Sequence, residues 1–113
     1  MNANIPLQEE NKITVTFRVE PGCLGPAGQD HIIHFCNFVK KQYSGINTNI
    51  MDCKIVPRVD KSLPELQYQL KNKSLAHDKA KLYLECFDID IDTFEEQLQE
   101  DLVQLIDDYM SKQ

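Results

Sequence analysis

Residues Lys12 to Glu20 alternate without a break, with Ile13, Val15, Phe17 and Val19 on one side and Lys12, Thr14, Thr16, Arg18 and Glu20 on the other. A period of two is the signature of a strand with one buried face. Pro21-Gly22 stops it, and the loop PGCLGPAGQ leads to Asp30, which suits the N-cap of a helix. Ile32, Phe35, Cys36, Val39 and Tyr43 then recur at helical spacing until Ser44-Gly45 ends the run. Asn47 to Asn49 reads as a turn.

Ile50 to Val59 is rich in β-branched residues and predicts a second strand. Glu65 to Leu70, with Leu66, Tyr68 and Leu70 on one side, predicts a third. The link VDKSLP reads as a hairpin connection. A short helix should begin at Ser74 or His77, burying Ala80, Leu84 and Phe87 with Leu82 and Tyr83 beside them. Asp92 and Glu95 make a capping-box pattern for a last helix, Thr93 to Ser111, with Phe94, Leu98, Leu102, Leu105, Ile106 and Tyr109 on its apolar stripe.

The order is strand, helix, strand, strand, helix, helix. A crossover helix makes the first two strands parallel, so the expected fold is α+β, two-layered, with a small mixed three-stranded sheet and helices mainly on one face. Residues 1–11 are expected to be disordered or extended, and 12–113 to form one domain. Three strands at about 4.8 Å spacing match the width of only one to two helices of about 10 Å, so three amphipathic helices leave one stripe over. The final helix is the expected surplus element, and its stripe is expected to serve self-association or a protein partner through Leu102, Ile106 and Tyr109.

Charge sharpens this picture. The formal net charge of -6 divides into +3 for Met1 to Leu84 and -9 for Glu85 to Gln113. A basic body thus carries an acidic helical end, a polarity that concerns contacts rather than a reaction. The 113 residues, 42% hydrophobic and 27% charged, suffice for one core without staples. The opening residues lack a basic and an apolar signal region, and no run is long enough to span a membrane. Four cysteines in that context read as reduced thiols, and the expected compartment is the cytoplasm.

Candidate chemistry is sparse. Gly22, Gly25 and Gly28 precede a helix, but their spacing fits neither phosphate-binding fingerprint, two prolines remove amide donors, and Asp30 stands where an anion would sit. Cys23, with His31 and His34 nearby, is the one candidate thiol nucleophile, without a third group to orient the base. Neither those residues with Cys36 nor Asp88, Asp90 and Asp92 match a metal-ligand pattern, so no metal or other cofactor is expected. Arg18, Lys54, Arg58, Gln67, Gln69 and Lys71 should meet on the outer sheet face, yet no aromatic platform accompanies them, which weighs against nucleic acid. Pro57 and Pro64 stiffen the segment presenting Arg58, Asp60 and Lys61, a candidate contact site and equally a protected edge. The leading expectation is a non-enzymatic protein-binding or self-associating module, its expected partners being another protein or a second copy. A small-molecule or thiol-dependent site at Gly22 to Asp30 comes second, and RNA on the outer sheet face third.

Overall fold

The computed structural model describes residues 7–112. It is an α+β domain in which strands β1 (Ile13–Val19), β2 (Met51–Pro57), β3 (Leu66–Leu70) and β4 (Lys73–Leu75) form one mixed sheet. The helices are α1 (Gly28–Gln42), α2 (His77–Glu85) and α3 (Ile91–Ser111). The spatial order of strands is β2-β1-β3-β4, with β1 parallel to β2 and antiparallel to β3, and β3 antiparallel to β4.

The alternation in β1 does what its period requires. Ile13, Val15, Phe17 and Val19 are all buried, and register places Met51, Cys53, Ile55 and Tyr68 on the same face. All three helices cover that face. The other face carries Thr14, Thr16, Arg18, Lys54, Gln67 and Gln69 and has no covering layer among the described residues.

The sheet has four strands rather than the expected three. Lys71 and Asn72 both take positive φ, 52° and 66°, and Leu70 pairs with Lys73 across them. That is the pattern of a two-residue type I′ hairpin turn, made here without the glycine that usually signals it. Ser74 therefore lies in β4, and α2 begins at His77. The link after β2 is not a hairpin either. β3 runs antiparallel to β2 but crosses the end of β1 to pair on its far side, with Arg58 N–H donating to Val19 O (2.9 Å) and Arg18 N–H to Glu65 O (2.7 Å).

Helix starts also shift. Gly28 already belongs to α1, so Asp30 sits in the first turn rather than at the cap. A 3-10 turn, Pro21–Leu24, packs so closely on this helix that a Cβ at Gly28 would lie 1.7 Å from Pro21 O, and Gly25 holds φ 90°. The cap of α3 is Asp90, not Asp92: its carboxylate accepts from the Thr93 N–H (3.0 Å) and hydroxyl (2.7 Å). In α2 only Ala80 and Leu84 are buried; Leu82, expected beside them, is 58% exposed.

The predicted surplus stripe is not surplus. Phe94, Leu98, Leu102, Leu105 and Tyr109 are all buried, and α3 lies between α1 and α2, touching both. The fourth strand widens the sheet to about 19 Å, and the nine-residue α2 sits at its β4 end, leaving room for α3 in the middle. Each such side chain contributes about 1.5–3 kcal/mol by leaving water, whereas an exposed Gln–Asp pair such as Gln104 with Asp108 contributes about 0.2–0.5 kcal/mol. Packing, not surface pairing, holds this helix. Of the expected loose segment 1–11, residues 1–6 lie outside the described residues. Leu7 packs on the core and donates its N–H to Asn49 O (2.9 Å), and Glu9–Asn11 form a 3-10 turn.

Candidate functional site

One opening in the helix-covered layer runs along the β2 side of the sheet. Helix α1 turns Ile32, Phe35, Cys36 and Val39 into the core, which leaves Ile33, Asn37 and Lys40 on its flank beyond β2. Ile33 is 57% exposed. Between that flank and β2 runs a groove of about 300 Å³ floored by Val39, Tyr43, Cys53 and Ile55. A smaller recess of about 110 Å³ continues it past Cys36 to Pro57. Lys40, Ile55 and Val56 line both parts, so they form one trough. Lys40 and Lys54 stand exposed on its rims, and neither forms an ion pair among the described residues.

The thiols and the tyrosine hydroxyl lining the groove are held in their neutral forms. Burial pushes the Cys53 thiol up to about 11, helped by the negative Asp101, and pushes Cys36 up to about 11 against the opposing charge of Lys40. Both thiols stay protonated at neutral pH and are poor nucleophiles. The Tyr43 hydroxyl donates to Asp101 Oδ2 (2.8 Å), tying the end of α1 to α3; burial first, then that carboxylate, hold its pKa far above the usual phenol value.

The opposite flank has a matching tether. Tyr68 donates to Glu95 Oε2 (2.6 Å), and His77 Nε2 lies 3.1 Å from the same oxygen, beside a recess of about 420 Å³ lined also by Pro64, Leu66 and Leu75. Burial and the Glu95 carboxylate raise the Tyr68 pKa as they do that of Tyr43. Acidic residues of α3 thus accept bonds from the body of the domain.

The sequence-predicted residues fare differently. Arg58, Asp60 and Lys61 are brought together, but on one another's behalf. Arg58 Nη1 pairs with Glu20 Oε1 (2.8 Å), its Nη2 donates to Leu63 O (3.1 Å), and Lys61 Nζ reaches Glu20 Oε2. Asp60 Oδ1 accepts from the Ser62 N–H (2.9 Å) and hydroxyl (2.6 Å). The Lys61 contact leads, with Arg58, in lowering the Glu20 pKa, and the Ser62 bonds lower that of Asp60. This network fixes the crossing between β2 and β3. Arg18 does the same with Pro64 O (2.8 Å) and Gln67 Oε1 (2.7 Å).

Leu102 and Tyr109, expected on a contact surface, are core residues, and Ile106 is half-buried against them. Tyr109 is packed edge-on by Phe35, Phe38 and His31. His31 Nδ1 is also 3.2 Å from the Tyr109 hydroxyl, which occupies one nitrogen of the proposed base. Cys23 is exposed in its 3-10 turn and His34 is exposed on α1. Among the described residues no three His, Cys, Asp or Glu side chains cluster as a metal site, and no helix is long and apolar enough to cross a membrane.

Comparison with protein-family models, with curated proteins and with solved structures finds no match to this chain. The geometry of the groove therefore carries the functional reading. Sequence reasoning overlooked Lys40, Tyr43, Cys53 and Ile55 as a unit. One signal was present: a β-branched run ended by Pro57, which marks an edge strand. The partner strand on its other side could not be read from local pattern.

Proposed function

We propose that this protein is a non-enzymatic protein-binding domain of the cytoplasm, acting through the β2 side of its sheet and the groove beside α1. The observation that carries the proposal is that β2, seven residues long, has among the described residues a strand neighbour on one side only, and on the other an apolar trough whose exposed lysines form no ion pair with a described residue. Long open edges are normally blunted or covered, so one left accessible beside a trough suits a contact surface. Free thiols at all four cysteines suit a reducing compartment.

The competing readings have less support. The loop glycines at 25 and 28 are accounted for by backbone conformation and close packing, and His31 is engaged by Tyr109. The outer sheet face presents threonines, glutamines and an internally bonded Arg18, without an aromatic on which a base would stack.

The test uses the full chain and its Lys40→Glu/Lys54→Glu variant, both positions being exposed and the fold checked by circular dichroism. Each is immobilised in lysate of the native host at moderate salt. A stoichiometric protein retained by the first and lost by the second supports the proposal; equal capture by both, or retention of nucleic acid alone, overturns it.

A further inference from the structure

Backbone geometry of β2, taken with the charges on its rim, narrows the partner. At one end of the β1–β2 pair Ile13 N–H donates to Ile50 O (3.1 Å), and at the other Arg58 N–H donates to Val19 O (2.9 Å). In a parallel pair the bonds to one neighbour come from alternate residues. The even-numbered positions of β2 therefore face β1, and Cys53, Ile55 and Pro57 turn their backbone groups toward the open side. Met51 would follow, but its N–H is taken by Asn47 O (3.0 Å), and Pro57 has no N–H. Among the described residues nothing pairs with this edge, which thus offers two donors, at Cys53 and Ile55, and carbonyls from the same residues. That is the complement of one short strand.

Side chains divide by the same parity. Cys53 and Ile55 share the helix-covered face with Val15 and Phe17, so they point into the trough; Lys54 lies between them on the opposite face. An antiparallel strand exchanging paired bonds with Cys53 and Ile55 would place its own residues opposite these two over the trough and the residue between them beside Lys54. Apolar side chains fit the first pair of positions, with the larger recess by Tyr43 and Val39 and the smaller by Ile33 and Pro57. An acidic side chain fits the middle position, where Lys54 has no ion-pair partner among the described residues.

We infer that the occupant of this groove is an extended segment of another protein, alternating apolar and acidic residues, that adds as an antiparallel strand to β2. The inference rests on the protein-binding reading and specifies its mode. Main-chain bonds supply the attachment and the alternation supplies selectivity. Charge sets the choice of partner: exposed Lys54 and Lys40 on both rims favour an acidic strand and disfavour a basic one.

The experiment titrates the full chain into a fluorescent seven-residue peptide alternating leucine and glutamate, with three controls. These are the leucine–lysine peptide, the leucine–glutamate peptide N-methylated at its central amides, and the Lys54→Glu variant. The expected result is saturable binding of the acidic peptide, at least about tenfold tighter than of the basic one, with the preference reversed by Lys54→Glu. N-methylation should weaken binding at least about tenfold, since it removes the main-chain donors and leaves the side chains. Amide spectra should show Cys53 and Ile55 becoming protected from exchange on binding. Equal affinity for both charges, tolerance of N-methylation, or no binding overturns the inference. So does a dimer of the chain itself in which those two amides are protected, because β2 is then occupied by its own copy. If the peptide fails while the lysate partner is still lost with Lys40→Glu/Lys54→Glu, strand addition is wrong and the protein-binding reading survives; if both fail, both fall.

Discussion

The two edges of this sheet are built in opposite ways. β4 is three residues long, enters through a turn with two strained non-glycine residues, carries exposed Lys73, and passes directly into α2. β2 runs for seven residues, ends in a proline, and leaves a trough between itself and α1. Short length, lysine and a covering helix are the standard means of keeping an edge from pairing. Only the β4 side uses all three. The contrast teaches that openness at β2 is not the default of a small sheet but a local difference within one fold.

Both edges hang from the same core, and the most damaging change should show it. Leu102→Glu would bury a charge among Leu98, Leu105 and the sheet; loss of the cooperative thermal transition is expected, and a folded variant would mean that α3 detaches from edges that stand alone. Alkali should act more gradually and on one side first. Cys36 and Cys53 have folded pKa values raised to about 11, and the Tyr43 pKa is raised as well, so the neutral forms are favoured in the fold. The stability they contribute is full below the unfolded thiol value of about 8.5 and is lost as pH rises through about 11. Urea midpoints should fall between pH 8 and 11, and alkylation of Cys53 should precede loss of the Tyr68 contact.

The two tyrosine tethers sharpen the comparison further. Tyr68→Phe leaves Glu95 with His77 alone and should cost about 1–2 kcal/mol, whereas Tyr43→Phe should cost about 0.5–1 kcal/mol because Asp101 keeps its bond from Gln97 (2.8 Å). Urea unfolding measures both, and the reverse order would mean that the β2 side is the more tightly held. Asn72→Gly should raise stability by about 0.5–1 kcal/mol, since glycine accepts φ 66° without strain and suits the second position of this turn. The smallest effect changes no energy at all. In native exchange the amides of Asp52, Lys54 and Val56 should be slow and those of Cys53 and Ile55 fast, and uniform protection would remove the free edge from β2.

Much of this was legible beforehand, for identifiable reasons. The unbroken alternation of β1 and the stripes of α1 and α3 are local patterns, and they gave the α+β class, the parallel β1–β2 pair and the helices on one face. β4 escaped because Lys71-Asn72 makes a glycine-type turn without glycine. The start of α3 slipped because Asp90 and Asp92 are both chemically suited to cap, and only the buried Ile91 decides between them. Arg58 and Lys61 were visible as charges, but their use was not, because Glu20 lies 38 residues from Arg58 and 41 from Lys61. The β2 groove was hidden for the same reason: an edge is defined by which strand is missing beside it, and that depends on β3 crossing to the far side of β1.

The central position of β1 has a consequence for how the chain reaches this fold. Its first residue pairs with Met51, 38 residues on, and Thr14 pairs with Gln69, 55 residues on, so no neighbour of the central strand is local. Long loops must close before those pairings reward the chain, which favours slow folding for a domain of this size. Meanwhile ITVTFRV, rich in β-branched residues and carrying a single charge, is exposed with both edges bare. The strand that anchors the finished sheet is therefore the segment most in need of protection, by dilution or by a chaperone, while the molecule is being made.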